Sequence, residues 1–205
     1  MSALAVAAAY LLGAVPIGFL VARAFGIDDI RRHGSGNIGA TNVLRTAGRL
    51  PAVITLLGDI AKGFAAVVLA ARLGGDVPAV TAAGAVAAVV GNCWSVFLGF
   101  RGGKGMATGL GALLRLAPLA TLAALPVFLV VAATTRFVSL ASVLAAACVP
   151  FGALALGAPR PYVLGTFAVS AVVIVRHREN IARLRAGTER RLGESHSPSS
   201  EGSRP

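Results

Sequence analysis

Charge is scarce in this sequence, and negative charge scarcer. Of 205 residues only 13% are charged, with 8 Asp and Glu against 19 Lys and Arg. That balance excludes a disordered chain, which needs many charges and few apolar residues. Aromatics are also sparse, at 6%. The basic residues form no stripe interleaved with them, so a net charge of +11 does not read as a surface for nucleic acid. The two cysteines, Cys93 and Cys148, each sit in an apolar run without C-x-x-C spacing or a nearby histidine. A disulfide framework or zinc site is therefore excluded, and both read as small buried hydrophobes. Paired carboxylates, a metal-ligand set and a Ser–His–acid arrangement are all missing from the polar segments. Nor is His33, His177 or His196 followed five positions later by an aspartate, so no histidine–aspartate pair of that spacing is present.

Apolar residues fill the space that charge leaves: 56% of the chain, with a mean hydropathy of +0.79. The nearly charge-free runs 1–22, 77–100, 116–135 and 137–159 match or approach the roughly 20 residues a helix needs to cross a bilayer. The sequence thus predicts an all-α, polytopic integral membrane protein of about seven transmembrane helices. Spans are expected at 3–24, 51–72, 78–99 and in four pieces between 106 and 175, divided at Arg115, Arg136 and Arg160. No Lys or Arg precedes the first run, while Arg23, Arg31 and Arg32 follow it. This is the reverse of a secretory signal and places the amino end outside. With seven crossings every basic residue lies inside except Arg72, Arg115, Arg160 and the intramembrane Lys62, as the positive-inside rule requires. The carboxyl end is then cytoplasmic. The piece at 106–114 is short: about a dozen residues give only ~18 Å of helix, so either it continues through Arg115 or the loop before it is sunk below the membrane surface. Residues 1–192 read as one membrane-embedded domain and the Ser-, Pro- and Gly-rich 193–205 as a disordered tail. No internal repeat of the inverted-transporter kind is present.

Three polar segments fall on the predicted inner side. In His33-Gly34-Ser35-Gly36-Asn37-Ile38-Gly39-Ala40-Thr41-Asn42-Val43-Leu44-Arg45, three closely spaced glycines free backbone N–H groups to face an anion. Ser35, Asn37, Thr41 and Asn42 add short hydrogen-bonding groups, and Arg45 lies one helical turn beyond Thr41. In Arg101-Gly102-Gly103-Lys104-Gly105, a glycine-lined lysine opens a helix, the physical recipe for holding phosphate. Position 105 is Gly rather than Ser or Thr, so this is no nucleotide-binding Walker loop. Lys62 and Lys104 are the only lysines. A chain that uses arginine for generic charge keeps a compact ammonium where it is needed. Lys62 stands three residues after Asp59, as a self-neutralising pair near the interface. The third segment follows the last span, where helical spacing aligns His177, Asn180, Ile181 and Leu184. Its Arg178, Arg183, Arg185 and Arg190 suit a basic segment lying on anionic headgroups. Binding groups without a strong base suit a substrate that is anionic and already activated.

Together these segments resemble the bacterial acyl-phosphate:glycerol-3-phosphate acyltransferase (PlsY) family. The resemblance rests on G-S-G-N-I-G-A-T-N-V-L-R at 34–45, G-D-I-A-K-G at 58–63, F-L-G-F-R-G-G-K-G-M-A-T at 97–108, R-F-V-S-L-A-S at 136–142 and H-R-E-N-I-A-R-L-x-x-G-x-E at 177–189. It implies a seven-span enzyme of the bacterial inner membrane with its site on the cytoplasmic side. That enzyme moves a fatty acyl group from acyl phosphate to the sn-1 hydroxyl of glycerol 3-phosphate, giving lysophosphatidic acid and phosphate. Acyl phosphate, glycerol 3-phosphate and membrane lipid are the implied partners, with no metal, cofactor or nucleic acid. Ser35, Arg45, Lys104 and His177 are the expected catalytic residues. Gly34, Gly36, Asn37, Thr41, Asn42, Gly102, Gly103, Gly105, Ser142 and Asn180 are the expected substrate-binding ones. One position departs from the family pattern: Gly91 is followed by Asn92, where the family usually has histidine. An amide does not titrate, so Asn92 can supply hydrogen bonds but not a proton. A non-catalytic relative that binds lipid or phosphate is the alternative reading.

Overall fold

The computed structural model describes residues 1–193, and among them every regular element is helical. The helices are α1 (Ser2–Ala14), α2 (Ile17–Ala24), α3 (Ala40–Thr46), α4 (Arg49–Leu73), α5 (Pro78–Cys93), α6 (Met106–Leu116), α7 (Pro118–Thr135), α8 (Val138–Ala155), α9 (Arg160–Arg176) and α10 (Arg178–Arg185). Proline in the first turn starts α5, α7 and α9, where its missing N–H costs nothing and its φ is already helical. Five stretches are long and apolar enough to cross a membrane: Ser2–Ala24, Arg49–Leu73, Pro78–Leu98, Pro118–Thr135 and Val138–Ala155. The helices α6 and α9 are shorter, with 11 and 17 residues.

Several expectations are revised. The first span is not continuous: α1 stops at Ala14 and α2 begins at Ile17, because Pro16 has no N–H to carry the helix on. The third ends as regular helix at Cys93 and finishes in a short 3₁₀ turn, Val96–Leu98. The helix after Lys104 does continue through Arg115, and only Ala117 separates it from α7. Apart from Gly193, the tail expected to be disordered lies outside the described residues.

Packing follows the logic of a bundle in lipid rather than in water. The buried positions are mostly small, among them Ala9, Ala66, Ala70, Ala85, Ala88 and Ala112, whereas Leu57, Leu129, Phe151, Leu154 and Leu164 face outward. Lipid tails are as apolar as leucine, so helices associate by close approach of small residues instead of by hiding large ones. Helix α1 packs on α4 and α5, α4 on α6, α7 on α8, and α9 on both α5 and α8. At the α1–α5 contact Gly13 lies directly against the backbone of Ala88, and Gly91 against the carbonyl of Tyr10. Cys93 is buried, but Cys148 faces outward from α8, contrary to its expected burial; an outward thiol in lipid meets no unfavourable solvent.

Candidate active site

The first polar segment is built around one side chain. Asn42, in the first turn of α3, is 2% exposed. Its Oδ1 accepts from the N–H of Ser35 at 2.8 Å, and its Nδ2 donates to the carbonyls of Asn37 at 2.8 Å and His33 at 3.0 Å. A neighbouring turn is closed by Asn37 Oδ1, which accepts from the N–H of Gly39 at 2.8 Å. Gly34 has φ +60°, and a Cβ there would overlap Asn42 Oδ1, so only glycine lets the loop wrap its own asparagine. Asn42 borders the cavity with Ser35, Thr41 and Arg45, and its amide is held by the loop that carries Ser35.

The glycine loop hangs from the end of α5. Gly103 N–H donates to the carbonyl of Asn92 at 2.9 Å, and Gly102 N–H to that of Cys93 at 3.2 Å. From the other side Arg176 donates to the Gly103 carbonyl through Nε and Nη2, at 3.2 and 3.0 Å. Its guanidinium stacks 5.1 Å over the Trp94 ring. Gly105 caps α6 with φ +76°, and a Cβ there would press on Cys93 Sγ and Val89 at 2.9 Å. The loop is thus fixed by its backbone, and Lys104 is left to reach inward.

Lys104 Nζ donates to Asn180 Oδ1. Asn180 Nδ2 donates in turn to Glu189 Oε1 at 2.6 Å, which also accepts from Ser139 Oγ at 2.7 Å, while Arg183 Nε donates to Glu189 Oε2 at 2.7 Å. Burial pushes the Glu189 carboxyl up, but these three hydrogen bonds outweigh it and hold the group below the usual carboxylate range. Burial first, and then the Arg183 charge, lowers Lys104 to about 8, with Glu189 and Glu179 pulling the other way. His177 is 4% exposed. Desolvation draws its pKa below the ordinary imidazole value, although the Val173 carbonyl opposes this. That carbonyl lies 2.7 Å from Nδ1; a carbonyl only accepts, so Nδ1 carries the proton and Nε2 is the acceptor.

Every candidate residue named from the sequence borders one cavity of about 760 Å³. Ser142 Oγ donates to its own helix, to Val138 O at 2.8 Å. The polar end joins the three segments. The other end is an apolar arm between α6, α7, α8 and α9, walled by Leu113, Ala124, Phe128, Ala145, Val149 and Val173. Ser139 and Val149, both on the wall, are ten residues apart on α8, so the arm runs ~15 Å along the bundle. Among the described residues no cluster of metal-ligating side chains occurs. A cationic, amide-rich pocket continuous with an apolar arm can hold an anionic headgroup and an alkyl chain together.

Comparison with known proteins matches residues 3–187 to the family described as Glycerol-3-phosphate acyltransferase. The Glycerol-3-phosphate acyltransferase of Geobacter sulfurreducens is 51% identical over 187 residues, covering 91% of this chain and 95% of that one. That of Rubrobacter xylanophilus is 52% identical over 184 residues, covering 90% and 92%. The chain belongs to the glycerol-3-phosphate acyltransferase family. Crystal structures of the family's PlsY, an integral membrane glycerol 3-phosphate acyltransferase, agree with the fold. Its glycerol 3-phosphate form matches with a TM-score of 0.88 at 38% identity, covering 94% of this chain and 96% of that one. Its lysophosphatidic acid form matches with a TM-score of 0.86 at 37% identity, covering 94% and 95%. This family member is accordingly a multi-pass integral membrane protein.

Sequence reasoning left four residues out of the site. Ser139 and Glu189 stand inside the motif stretches that carry the family resemblance, yet only the folded chain shows that they meet. Arg176 read as a flanking charge, and Arg183 as a contact to lipid headgroups. Arg176 meets Gly103, 73 residues away along the chain, whereas Arg183 meets Glu189 only six residues on, across the turn that follows α10.

Proposed function

We propose that this protein transfers a fatty acyl group from acyl phosphate to the sn-1 hydroxyl of glycerol 3-phosphate, yielding lysophosphatidic acid and phosphate. It does so on the cytoplasmic side of the bacterial inner membrane, with seven crossings, the amino end outside and the carboxyl end inside. One observation carries this reading: Arg45, Lys104, His177 and Asn180 ring the polar end of a cavity whose other end is an apolar arm. The arm suits the acyl chain and the polar end suits the two phosphates. Helix α6, with 11 residues, is only ~16 Å long, which suits a site recessed from the membrane surface.

The reaction needs little beyond placement. The sn-1 oxygen attacks the carbonyl carbon of the mixed anhydride, the bond from that carbon to the phosphate oxygen breaks, and phosphate leaves with the electron pair. The hydroxyl proton goes to the departing phosphate. Lys104 and Arg45 hold phosphate charge, His177 Nε2 accepts a hydrogen bond from the glycerol moiety, and the Ser35 hydroxyl steadies the oxyanion. Orientation of this kind contributes up to ~7–11 kcal/mol, enough for a substrate that is already activated.

The test is purified protein in detergent given palmitoyl phosphate and glycerol 3-phosphate. Phosphate release with lysophosphatidic acid formation is expected, and Lys104→Ala and Arg45→Ala should each remove most of it. No turnover, or full rate in both variants, overturns the proposal. Acyl phosphate binding with turnover only in Asn92→His would instead favour the non-catalytic relative. For topology, reporter tags placing residues 35 and 177 on opposite sides of the membrane would refute the seven-crossing arrangement.

A further inference from the structure

The intramembrane pair expected from sequence, Asp59 and Lys62, forms at 2.8 Å, with side chains 8% and 4% exposed. Lys62 does more than neutralise it. Its Nζ also donates to the Val15 carbonyl at 2.6 Å and to Asn92 Oδ1 at 2.8 Å. The first contact explains part of its burial. The break at Pro16 releases carbonyls from the first span, and in a bilayer each needs an internal donor; Ser95 Oγ serves that of Ala14 at 2.6 Å in the same way.

The second contact orients an amide. An ammonium has donors and no acceptor, so whatever Asn92 turns toward Lys62 must be its oxygen. The Nδ2 group is thereby turned the other way. There Asn92 borders the cavity, and Nδ2 lies 3.1 Å from where a Gly103 Cβ would stand, beside the loop that carries Lys104. Its own backbone carbonyl holds the Gly103 N–H at 2.9 Å. Among the described residues Nδ2 donates to no protein acceptor, whereas Oδ1 is held. A pinned, uncharged donor therefore faces the anion pocket, and the mechanism above does not use it.

We propose that Asn92, its amide oxygen locked by the Lys62–Asp59 pair, is a phosphate-binding residue of this site, with Lys62 as its positioning residue. This rests on the transferase reading for its substrate, and the ligand chemistry is a phosphate group, whether that of glycerol 3-phosphate or of the acyl donor. It also accounts for asparagine at a position where the family usually has histidine. A neutral imidazole accepts from Lys62 with one nitrogen and presents N–H to the pocket with the other, the same pattern of donor and acceptor.

The experiment compares wild type with Asn92→Leu, which keeps the size and removes the donor, and with Asn92→His. KM is measured for glycerol 3-phosphate and for palmitoyl phosphate, and glycerol 3-phosphate binding is followed by calorimetric titration in detergent. Losing a hydrogen bond to a charged ligand weakens binding about tenfold or more. At least a fivefold rise in KM for one of the two substrates is expected in Asn92→Leu, with restoration in Asn92→His. The substrate affected identifies the phosphate held. A smaller change for both substrates overturns the inference. Should Asn92→Leu not fold, Asn92→Asp keeps the oxygen toward Lys62 and turns a negative oxygen to the pocket; undiminished affinity there overturns it equally. The Asp59→Asn, Lys62→Met double variant releases the amide without leaving a buried charge, and a KM equal to wild type removes Lys62 from the assignment. Turnover in wild type with an indifferent Asn92→Leu sinks this inference alone. Titratable binding without turnover sinks the transferase reading alone, and a wild type that binds no glycerol 3-phosphate sinks both.

Discussion

Lys104 and His177 lie under the same desolvating roof, and burial pushes each toward its neutral form. For Lys104 the working form is the ammonium, which is lost as pH rises through about 8. Because kcat/KM reports ionisations of the free enzyme, kcat/KM for glycerol 3-phosphate should fall across that range. Lys104→Arg, whose guanidinium stays charged, should flatten this alkaline limb even if it lowers the rate. A limb that persists unchanged in Lys104→Arg would assign it elsewhere. For His177 the working form is the neutral imidazole, which its lowered pKa preserves as pH falls. The acid limb should accordingly lie below the ordinary histidine value of ~6.5. Mapping kcat/KM across pH in mixed micelles reads both limbs at once.

Among the elements, the segment after α10 closes the site like a strap. It returns to the start of α8, where Leu192 N–H donates to the Arg136 carbonyl at 2.8 Å and Arg136 Nη2 donates back to Leu192 O at 2.6 Å. Glu189 gathers Ser139, Asn180 and Arg183 at its centre. Hydrogen bonds to a charged group contribute on the order of 1.5–3 kcal/mol. Glu189→Ala should thus lower the detergent melting temperature and remove most activity by freeing Asn180, with Glu189→Gln milder in both. Wild-type melting and rate in Glu189→Ala would show that the strap is ornamental. Where α1 meets α5, Ala88→Leu drives a larger side chain into a contact already at backbone distance from Gly13. Overpacking of this kind costs roughly 1–3 kcal/mol, and a thermal melt of the purified variant measures it. The element boundaries show how much the chain discloses locally. Arg136 and Arg160 marked helix ends because charge is costly in lipid, and the break at Pro16 was missed because hydropathy averages over a single imino acid.

For the whole molecule, what matters is that the apolar arm is shared by four helices and belongs to none. Ala124 on α7 and Val149 on α8 both line it. Ala124→Phe should shift donor preference toward shorter acyl phosphates, since each methylene that no longer fits forfeits ~0.8 kcal/mol, about fourfold in kcat/KM. A series of donors of increasing chain length tests this, and an unaltered profile would place the acyl chain outside the arm. Period, charge placement and ordered motifs were enough to read a helical membrane bundle, the three polar segments and the family, since hydropathy and positive-inside bias are properties of the chain itself. The meeting of Glu189 with Ser139 and Arg183, the commitment of Asn42 to its own loop, and the fastening of Asn92 by Lys62 were not readable there. Each is a hydrogen bond or ion pair that depends on side-chain directions fixed only in the folded chain, whether its partners lie 50 residues apart, as Ser139 and Glu189 do, or six, as Arg183 and Glu189 do.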